Sequence, residues 1–563
     1  MKHLFNLLLL LISITALSQT TTKGFQWIQH HGDGITKNDE KVEAIQTDRW
    51  GNIYVAGQVN DLFVRDSNGT NIKSKLNPFL DSLENYGGLD TWLAKYDPQG
   101  NLLWHRYAGG GGDDAYYDMV ADENGNCYVS GRLNDHNTRQ VKSFNQTPID
   151  NLGLGNFIAK VDANGNLLWH KSFGGDTVGM TSLVPYRATT LNLSLNTNSI
   201  GVFVIGGGAQ IFGYQNLFGK DSLIMGIHEV LFDLNGNYLE AHTFPFPRFD
   251  RLPQITSIQS NHYGTVISGN LNRDTVLVGN DTLVKTGSDN AFVAFFDTSY
   301  SYTNSIYGSS SIDQFPDASL HGDTLLVAGH FSLFQNKTVS FDTVTYTGSL
   351  NEGQAGGIFV FDVFSNRLLG LYPSKSLGFL TRVDMTAAHI NKNTFGAAGI
   401  FDYKMTFTGT SNYLEAVDNC VSCQNSDLFF TLFDRNGNPI AEDVIYTSAQ
   451  INSAVFAMHR RDSMLYIGGF VGDSVIIQGV DTFVTRGSND AFVAAYNVGL
   501  VTSLEEPTNY IKADNGILAY PNPTQGQVTL MGKALNNEAQ LFNISGQFVK
   551  TYALDQNAFQ QQI

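Results

Sequence analysis

Residues 92–97 read Trp-Leu-Ala-Lys-Tyr-Asp, and residues 157–162 repeat the pattern as Phe-Ile-Ala-Lys-Val-Asp. An apolar run of the same kind, with an aspartate at or near its end, returns at 229–233, 292–297, 358–362, 429–434 and, ending in asparagine, 492–497. Short runs rich in aromatic and β-branched residues are typical of buried strands. The chain therefore contains one predicted strand that recurs seven times.

A second repeated element precedes each of these strands and ends in a glycine. It reads Ile-Tyr-Val-Ala-Gly at 53–57 and Cys-Tyr-Val-Ser-Gly at 127–131, and it returns at 202–206, 265–269, 325–329, 395–399 and 465–468. The two elements repeat together with a spacing of roughly 60 to 75 residues. Short strands at even spacing, without helical periodicity, indicate a radial repetition of β-sheets.

The turns between strands carry the pattern Asp-x-x-Gly-Asn, as at 97–101 and 162–166. Aspartate hydrogen-bonds the backbone two residues on, and glycine accepts the left-handed conformation that closes a hairpin. Calcium is the alternative for acidic turns, but the alternating ligands and distal glutamate of an EF-hand loop are missing from the sequence. The turns therefore predict hairpins, and each repeat has four strands, a to d.

Seven four-stranded units predict an all-β chain folded as a seven-bladed β-propeller. The seventh unit has candidate strands a to c near 454–460, 464–470 and 491–497, but no strand d follows. Residues 25–32, Phe-Gln-Trp-Ile-Gln-His-His-Gly, match the strands d at 102–107 and 167–173. We therefore expect the N-terminal strand to complete the last blade and close the ring.

Composition limits the class of protein and of partner. Of the 563 residues, 42% are hydrophobic, which is enough for a packed core, and the net charge of −18 opposes binding to nucleic acid or to an anionic membrane. Residues 1–18 have the basic start, apolar centre and small residues of a signal peptide, with cleavage expected between Ser18 and Gln19. An uncleaved anchor is the alternative. No later segment is apolar enough to cross a bilayer, so no transmembrane segment is expected after signal removal.

The repeats resemble the bacterial SBBP β-propeller repeats of Bacteroidota, whose pattern is clearest in units one and two. The resemblance covers about residues 25–497; units four and five lack the tryptophan of strand d. We expect domain boundaries at 25–498 for the propeller, 499–516 for a linker and 517–563 for a C-terminal domain.

The C-terminal segment resembles the type A sorting domain of the type IX (Por) secretion system, with a generic β-sandwich module as the alternative. The motif residues are Tyr520, Pro521, Asn522, Pro523, Gly526 and Gly546. The resemblance implies a small β-sandwich-like domain, the type IX machinery as a partner, and a secreted or cell-surface protein. The domain is expected to be incomplete, because the leucine-glycine-tyrosine strand and basic end usual in such domains are missing from the sequence.

Motifs for chemistry are missing from the sequence: it has no nucleophile elbow, zinc-protease motif or phosphate-binding loop. No catalytic residue, cofactor site or metal site is therefore predicted. Cys420 and Cys423 are a possible disulfide in an exported chain, and Cys127 is expected to be buried. His30, His105 and His170 recur near the tryptophan of strand d, which indicates repeated packing or surface placement.

Two functions remain open from the sequence. The first is a monomeric, non-catalytic exported protein that binds an extracellular glycan or protein. The second is a propeller enzyme, a polysaccharide hydrolase or lyase, with its site in the central channel or on the face that carries the long connections between strands b and c. That face is the candidate binding surface, although these connections can also form small hairpins that extend the sheets, as expected at 275–286 and 475–485.

Overall fold

The structure is a computed structural model that describes most of residues 23–499. The undescribed stretches are 32–39, most of 61–88, 134–142, 149–154, 174–186, 195–198, 206–226, 247–252, 417–425 and shorter segments. Beyond residue 499 it describes the backbone of five short strands. The chain divides into two compact units, residues 1–499 and 500–563.

Seven four-stranded antiparallel blades make up the first unit, which confirms the predicted seven-bladed propeller. In order a to d, the strands are Lys41–Thr47, Ile53–Asn60, Leu89–Tyr96 and Leu102–Gly109 in blade 1; Ala115–Ala121, Cys127–Leu133, Gly155–Val161 and Leu167–Phe173 in blade 2; Arg187–Ser194, Ser199–Ile205, Ile227–Asp233 and Tyr238–Thr243 in blade 3; and Gln254–Asn261, Gly264–Asn270, Ala291–Phe296 and Tyr302–Tyr307 in blade 4.

The remaining three blades have the same order and include the strand from the start of the chain. Their strands a to d are Ile312–His321, Thr324–Ser332, Gln354–Asp362 and Arg367–Ser376 in blade 5; Val383–Ile390, Thr394–Phe401, Asp427–Asp434 and Pro439–Thr447 in blade 6; and Ala454–Arg461, Met464–Ile477, Asp481–Asn497 and Gly24–His31 in blade 7.

The seven strands a form the inner wall of the ring. Each contacts the strand a of the next blade, and strand a of blade 7 contacts that of blade 1. The ring therefore closes on itself, and a core cluster crosses the closure, joining Val42 and Trp92 of blade 1 to Tyr466 and Val493 of blade 7.

Strands b and c are buried on both faces because each blade packs between two neighbours. Every residue of Gly264–Asn270 and of Ala291–Phe296 is buried. A strand with two buried faces reads as a continuous apolar run, whereas a half-exposed strand alternates. This explains why strand c was visible in the sequence as an unbroken apolar segment.

The N-terminal strand completes blade 7, as predicted. Gly24–His31 pairs antiparallel with Asp481–Asn497, from Gly24 opposite Asn497 to His31 opposite Ala491, with a bulge between Phe25 and Trp27. The first strand of the propeller is thus bound to the last, so the two ends of the repeat region hold each other.

The predicted hairpin turns form as expected, and their aspartates hold them. Asp97 Oδ1 accepts hydrogen bonds from the backbone N–H of Gln99 (2.9 Å) and of Asn101 (2.8 Å), and Oδ2 accepts one from the Asn101 side chain (2.8 Å). The same pattern recurs at Asp48, Asp122, Asp162, Asp233 and Asp434. Both carboxylate oxygens are therefore used inside the turn.

Tryptophans of strand d connect neighbouring blades. The indole N–H donates to a backbone carbonyl in the c–d turn of the next blade, in the pairs Trp27–Pro98 (3.1 Å), Trp104–Ala163 (2.9 Å) and Trp169–Leu234 (3.1 Å). Each indole also packs on the glycine of that turn; a Cβ on Gly165 would lie 2.9 Å from the Trp104 ring. We call this arrangement the tryptophan latch.

Short hairpins occupy several of the connections between strands b and c. They are Val64–Arg65 with Asn71–Ile72, Ser143–Phe144 with Thr147–Pro148, Thr275–Val278 with Asp281–Val284, Thr338–Phe341 with Val344–Thr347, and Lys404–Phe407 with Leu414–Glu415. In blade 7, strands b and c continue into their own hairpin, where Ser474 pairs with Val484. The expected hairpins at 275–286 and 475–485 are thus confirmed.

The second unit contains the strands Leu518–Tyr520, Thr529–Met531, Glu538–Phe542, Phe548–Ala553 and Gln560–Gln562. The first, second and fifth pair antiparallel as one sheet, and the third and fourth pair as a hairpin. Among the described residues of either unit, no helix is long and apolar enough to span a bilayer.

Candidate functional site

A cavity of about 340 Å³ lies along the inner wall of the ring. Strands a of blades 1, 2, 4, 5, 6 and 7 line it, and their side chains include Glu43, Asp118, Asp317, His389 and His459. A β-bulge recurs in every strand a, for example between Tyr116 and Asp118 and between Val455 and Ala457. A bulge re-aims the side chains that follow it, and here it occurs at the level of the cavity.

Asp317 is a carboxyl of this cavity whose acidity differs strongly from that of a free aspartate. Its Oδ1 accepts the backbone N–H of Ala318 and its Oδ2 that of Ala388 on the next blade, each at 2.8 Å. Burial raises the pKa of Asp317 to about 7, against the opposing effect of these two donors, and the charge of Asp118 adds to the rise. Near neutral pH, Asp317 therefore exchanges a proton with little cost.

Glu43 is the second channel carboxyl with a raised pKa. Burial raises it, and the Lys41 ammonium, which lies 2.6 Å from Glu43 Oε1, opposes the rise. Its charge is thus balanced by a neighbour on the same strand.

Two histidines face the cavity from blades 6 and 7. The rings of His389 and His459 lie 5.2 Å apart, His389 Nε2 accepts the backbone N–H of Arg460 at 3.2 Å, and His459 Nε2 lies 3.0 Å from Thr47 Oγ1 of blade 1. Burial holds the pKa of His389 well below its usual range and lowers that of His459 to about 4; the charge of Arg461 adds to the second effect. Both imidazoles are neutral at pH 7.

These polar groups connect neighbouring inner strands. Asp317 and Ser319 of blade 5 accept backbone N–H groups of blade 6, His389 of blade 6 accepts one of blade 7, and His459 of blade 7 pairs with Thr47 of blade 1. Within the part of the chain that the structure describes, no group of three or more histidine, cysteine, aspartate or glutamate side chains could hold a metal ion. The channel is a polar cavity whose titratable groups are bonded to its wall.

Replacing His459 with glutamine should reduce the loss of unfolding free energy that occurs as the pH falls. The folded protein holds the pKa of His459 at about 4, below the usual 6.5, so the unfolded chain binds the proton first as the pH falls. Stability due to His459 is therefore fully present above pH 6.5 and is lost toward pH 4. We expect urea unfolding of wild type to lose about 2 kcal/mol more than His459→Gln between pH 7 and pH 4.5. Equal losses in the two proteins would contradict the assignment.

The residues singled out in the sequence are not gathered at the channel. Cys127 is buried in strand b of blade 2, as predicted. His30 lies 3.5 Å from the buried Asp490, and the His105 ring packs 5.3 Å from that of Tyr107, so both take part in packing. Ser18, Gln19, Cys420, Cys423, Pro521, Asn522, Pro523, Gly526 and Gly546 lie outside the described residues, and only the backbone of Tyr520 is described.

The sequence did not point to the channel residues. Strands a are the least regular of the four, and Asp317 follows Pro316 in a stretch without a repeated motif. The signal that could have found them is the place of strand a in the repeat. Strand a is the first strand of each unit and the innermost strand of each blade, so its residues line the axis of the ring.

The C-terminal residues carry the decisive likeness to known proteins. Residues 518–563 match the family described as the secretion system C-terminal sorting domain. This domain marks proteins that the type IX secretion system exports. The chain is thus secreted, to the cell surface or beyond it, and it interacts with that machinery through its C-terminal sorting domain.

Comparisons with whole proteins add only remote likenesses, and no curated protein matches the chain. Among solved structures, the phage phi92 endosialidase matches with 9% identity over 95% of this chain and 80% of that chain, at a TM-score of 0.36. The parainfluenza virus 5 hemagglutinin-neuraminidase ectodomain matches with 9% identity over 88% of this chain and 95% of that chain, at a TM-score of 0.31. A protein of unknown function from Bacteroides caccae matches with 8% identity over 59% of this chain and 80% of that chain, at a TM-score of 0.26. Scores this low carry no argument about function.

Proposed function

We propose that this is a non-catalytic binding protein, exported to the cell surface or released, that recognises an extracellular glycan or protein through its propeller. The observation that supports a binding role best is the hydrogen bonding of the titratable side chains in the central cavity. Asp317, His389 and His459, the groups best suited to acid–base chemistry by type, are engaged with the backbone or side chains of adjacent blades. Groups that hold a wall together are poorly placed to move a proton to a substrate.

Processing and family remain part of the same proposal. We infer that residues 1–18 are removed during export, that residues 25–498 act as the propeller and 499–516 as a linker, and that the repeats belong with the SBBP type of Bacteroidota. Cys420 and Cys423 form a disulfide in this proposal, consistent with an exported chain.

The full chain, purified after export, tests the binding role. We expect it to bind members of a panel of polysaccharides and surface proteins, and to turn over none of them in a parallel panel of hydrolase and lyase assays. Retention on one ligand that is displaced by the same ligand in solution would support the proposal. Turnover that disappears in the Asp317→Asn variant would overturn it.

One observation favours an enzyme as the second candidate. A carboxyl with a pKa of about 7 in a cavity has the acidity that a general acid needs at neutral pH. In that case Asp317 would be the acid, and the second carboxyl would be Asp118, which faces the same cavity and whose charge acts on Asp317. The same panel of substrates decides between the two functions.

A further inference from the structure

An open groove of about 940 Å³ lies on the outer edge of the ring, between strands d of blades 4 and 5. Residues 304–307 form one wall and residues 365–369 the other. Strands d are the outermost strands of the blades, so a ligand can reach this groove without entering the channel.

The groove exists because the tryptophan latch is missing at this junction. Trp104 stands opposite Lys95 in blade 1, and the equivalent position in blade 4, opposite Phe295, is occupied by Asn304. Asn304 still donates a hydrogen bond across the junction, to the carbonyl of Asn366 at 3.2 Å. Its side chain is too short to fill the space that an indole fills elsewhere.

Neighbouring junctions without the tryptophan are filled by another ring. Between blades 3 and 4, Tyr300 occupies the glycine position of the turn with φ of 63° and stacks on His242 at 3.9 Å. Between blades 5 and 6, Tyr372 packs where a Cβ on Gly437 would stand. At these two junctions a ring fills the space, whereas the space at the junction of blades 4 and 5 is open, so it is not a general feature of the repeat.

The walls of the groove combine hydrogen-bonding side chains and the ring of Tyr307 with three aliphatic residues, Ile306, Leu368 and Leu369. Asn304, Ser305 and Tyr307 come from blade 4, and Ser365, Asn366 and Arg367 from blade 5. Tyr307 is 39% exposed, and Phe364, which directly precedes the second wall, is 81% exposed. The described residues that line the groove include no carboxylate, and Arg367 is the charged residue among them.

We propose that this groove binds a saccharide unit of an extracellular glycan. Amides and hydroxyls both donate and accept, which matches the hydroxyl groups of a sugar, and an exposed ring matches the apolar face of a pyranose. A peptide with an aromatic side chain fits less well, because most of the lining side chains are polar. The inference rests on the proposed binding function and names its ligand class and location.

Titration calorimetry with short oligosaccharides of glucose, mannose, xylose, galactose and N-acetylglucosamine tests the proposal. We expect wild type to bind at least one of them, and Phe364→Ala to weaken that binding about three- to tenfold, as for the loss of one aromatic contact. Leu168→Ala is the matched control, since Leu168 is a 52% exposed apolar residue on the outer strand of blade 2. It should bind like wild type.

Asn304→Trp rebuilds the missing latch and is the sharper variant. It should fill the groove, weaken oligosaccharide binding by more than about tenfold and leave the melting temperature unchanged or higher. If wild type binds an oligosaccharide and neither Phe364→Ala nor Asn304→Trp weakens that binding, the groove is not the binding site. The proposed binding function would then still hold. The assignment of a saccharide as the ligand would be overturned if wild type bound no oligosaccharide of the panel. It would also be overturned if wild type bound a protein and these variants lost that binding.

Discussion

Deleting Gly24–His31 should lower the melting temperature by at least about 5 °C and broaden the transition. The strand pairs along its length with Asp481–Asn497, and each lost backbone hydrogen bond costs about 1 kcal/mol. The loss therefore amounts to several kcal/mol, which is comparable to the whole stability of many domains. Differential scanning calorimetry of the deleted and full chains measures the effect.

The strand also connects three blades, which makes the expected effect larger than backbone pairing alone. Phe25 packs edge-on against Tyr496 of blade 7 at 4.9 Å and lies 6.1 Å from Phe430 of blade 6. Trp27 donates to Pro98 of blade 1, and the His31 ring lies 2.7 Å, nitrogen to oxygen, from Tyr96 OH of the same blade. Without the strand, the buried Tyr96 loses its partner and the edge of blade 7 is open.

A synthetic peptide with the sequence of residues 24–31 provides the control for this deletion. Added in excess, it should raise the melting temperature of the deleted chain, because a ligand that binds only the folded state stabilises it. A scrambled peptide of equal composition should not. A deletion variant that melts with wild type, or that both peptides rescue equally, would show that the strand does not close the ring.

The sequence predicted those parts of the fold whose determinants are local. The Asp-x-x-Gly-Asn turns have local determinants, since each aspartate accepts hydrogen bonds from the backbone and the asparagine side chain of its own turn, as Asp97 does. Strands b and c were also legible, because burial on two faces leaves an apolar run such as 292–296. The N-terminal closure followed from counting strands, which is arithmetic that the repeat makes possible.

Features that depend on contacts between strands distant in the sequence could not be predicted from the sequence. The glycine at the end of strand b was seen as a repeat, but its reason is that a Cβ on Gly131 would collide with the carbonyl of Ala115 on strand a. Trp104 was seen as part of strand d, and its bond to Ala163 of the next blade was not. Asp317 gave no signal, because its burial arises only when seven inner strands surround one axis.

Replacing Trp104 with alanine should lower the free energy of unfolding by about 3 kcal/mol. The indole donates to Ala163 at 2.9 Å, packs on Gly165 and lies 6.0 Å, edge to face, from the ring of Tyr54. Its removal leaves a gap between blades 1 and 2, and the carbonyl of Ala163 keeps only the Lys95 ammonium, 3.3 Å away, as a donor. Urea unfolding at pH 7 measures the change.

Leu103→Ala is the matched control for Trp104→Ala, since Leu103 is the adjacent residue on the same strand and is 52% exposed. It should change stability by less than about 0.5 kcal/mol. Trp104→Phe retains a ring but cannot donate to Ala163, so it should fall between the two, with the hydrogen bond accounting for about 1 kcal/mol. If Trp104→Ala proved as mild as Leu103→Ala, the blades would be held together by their buried strands alone, and the open groove between blades 4 and 5 would lose its explanation as a missing latch.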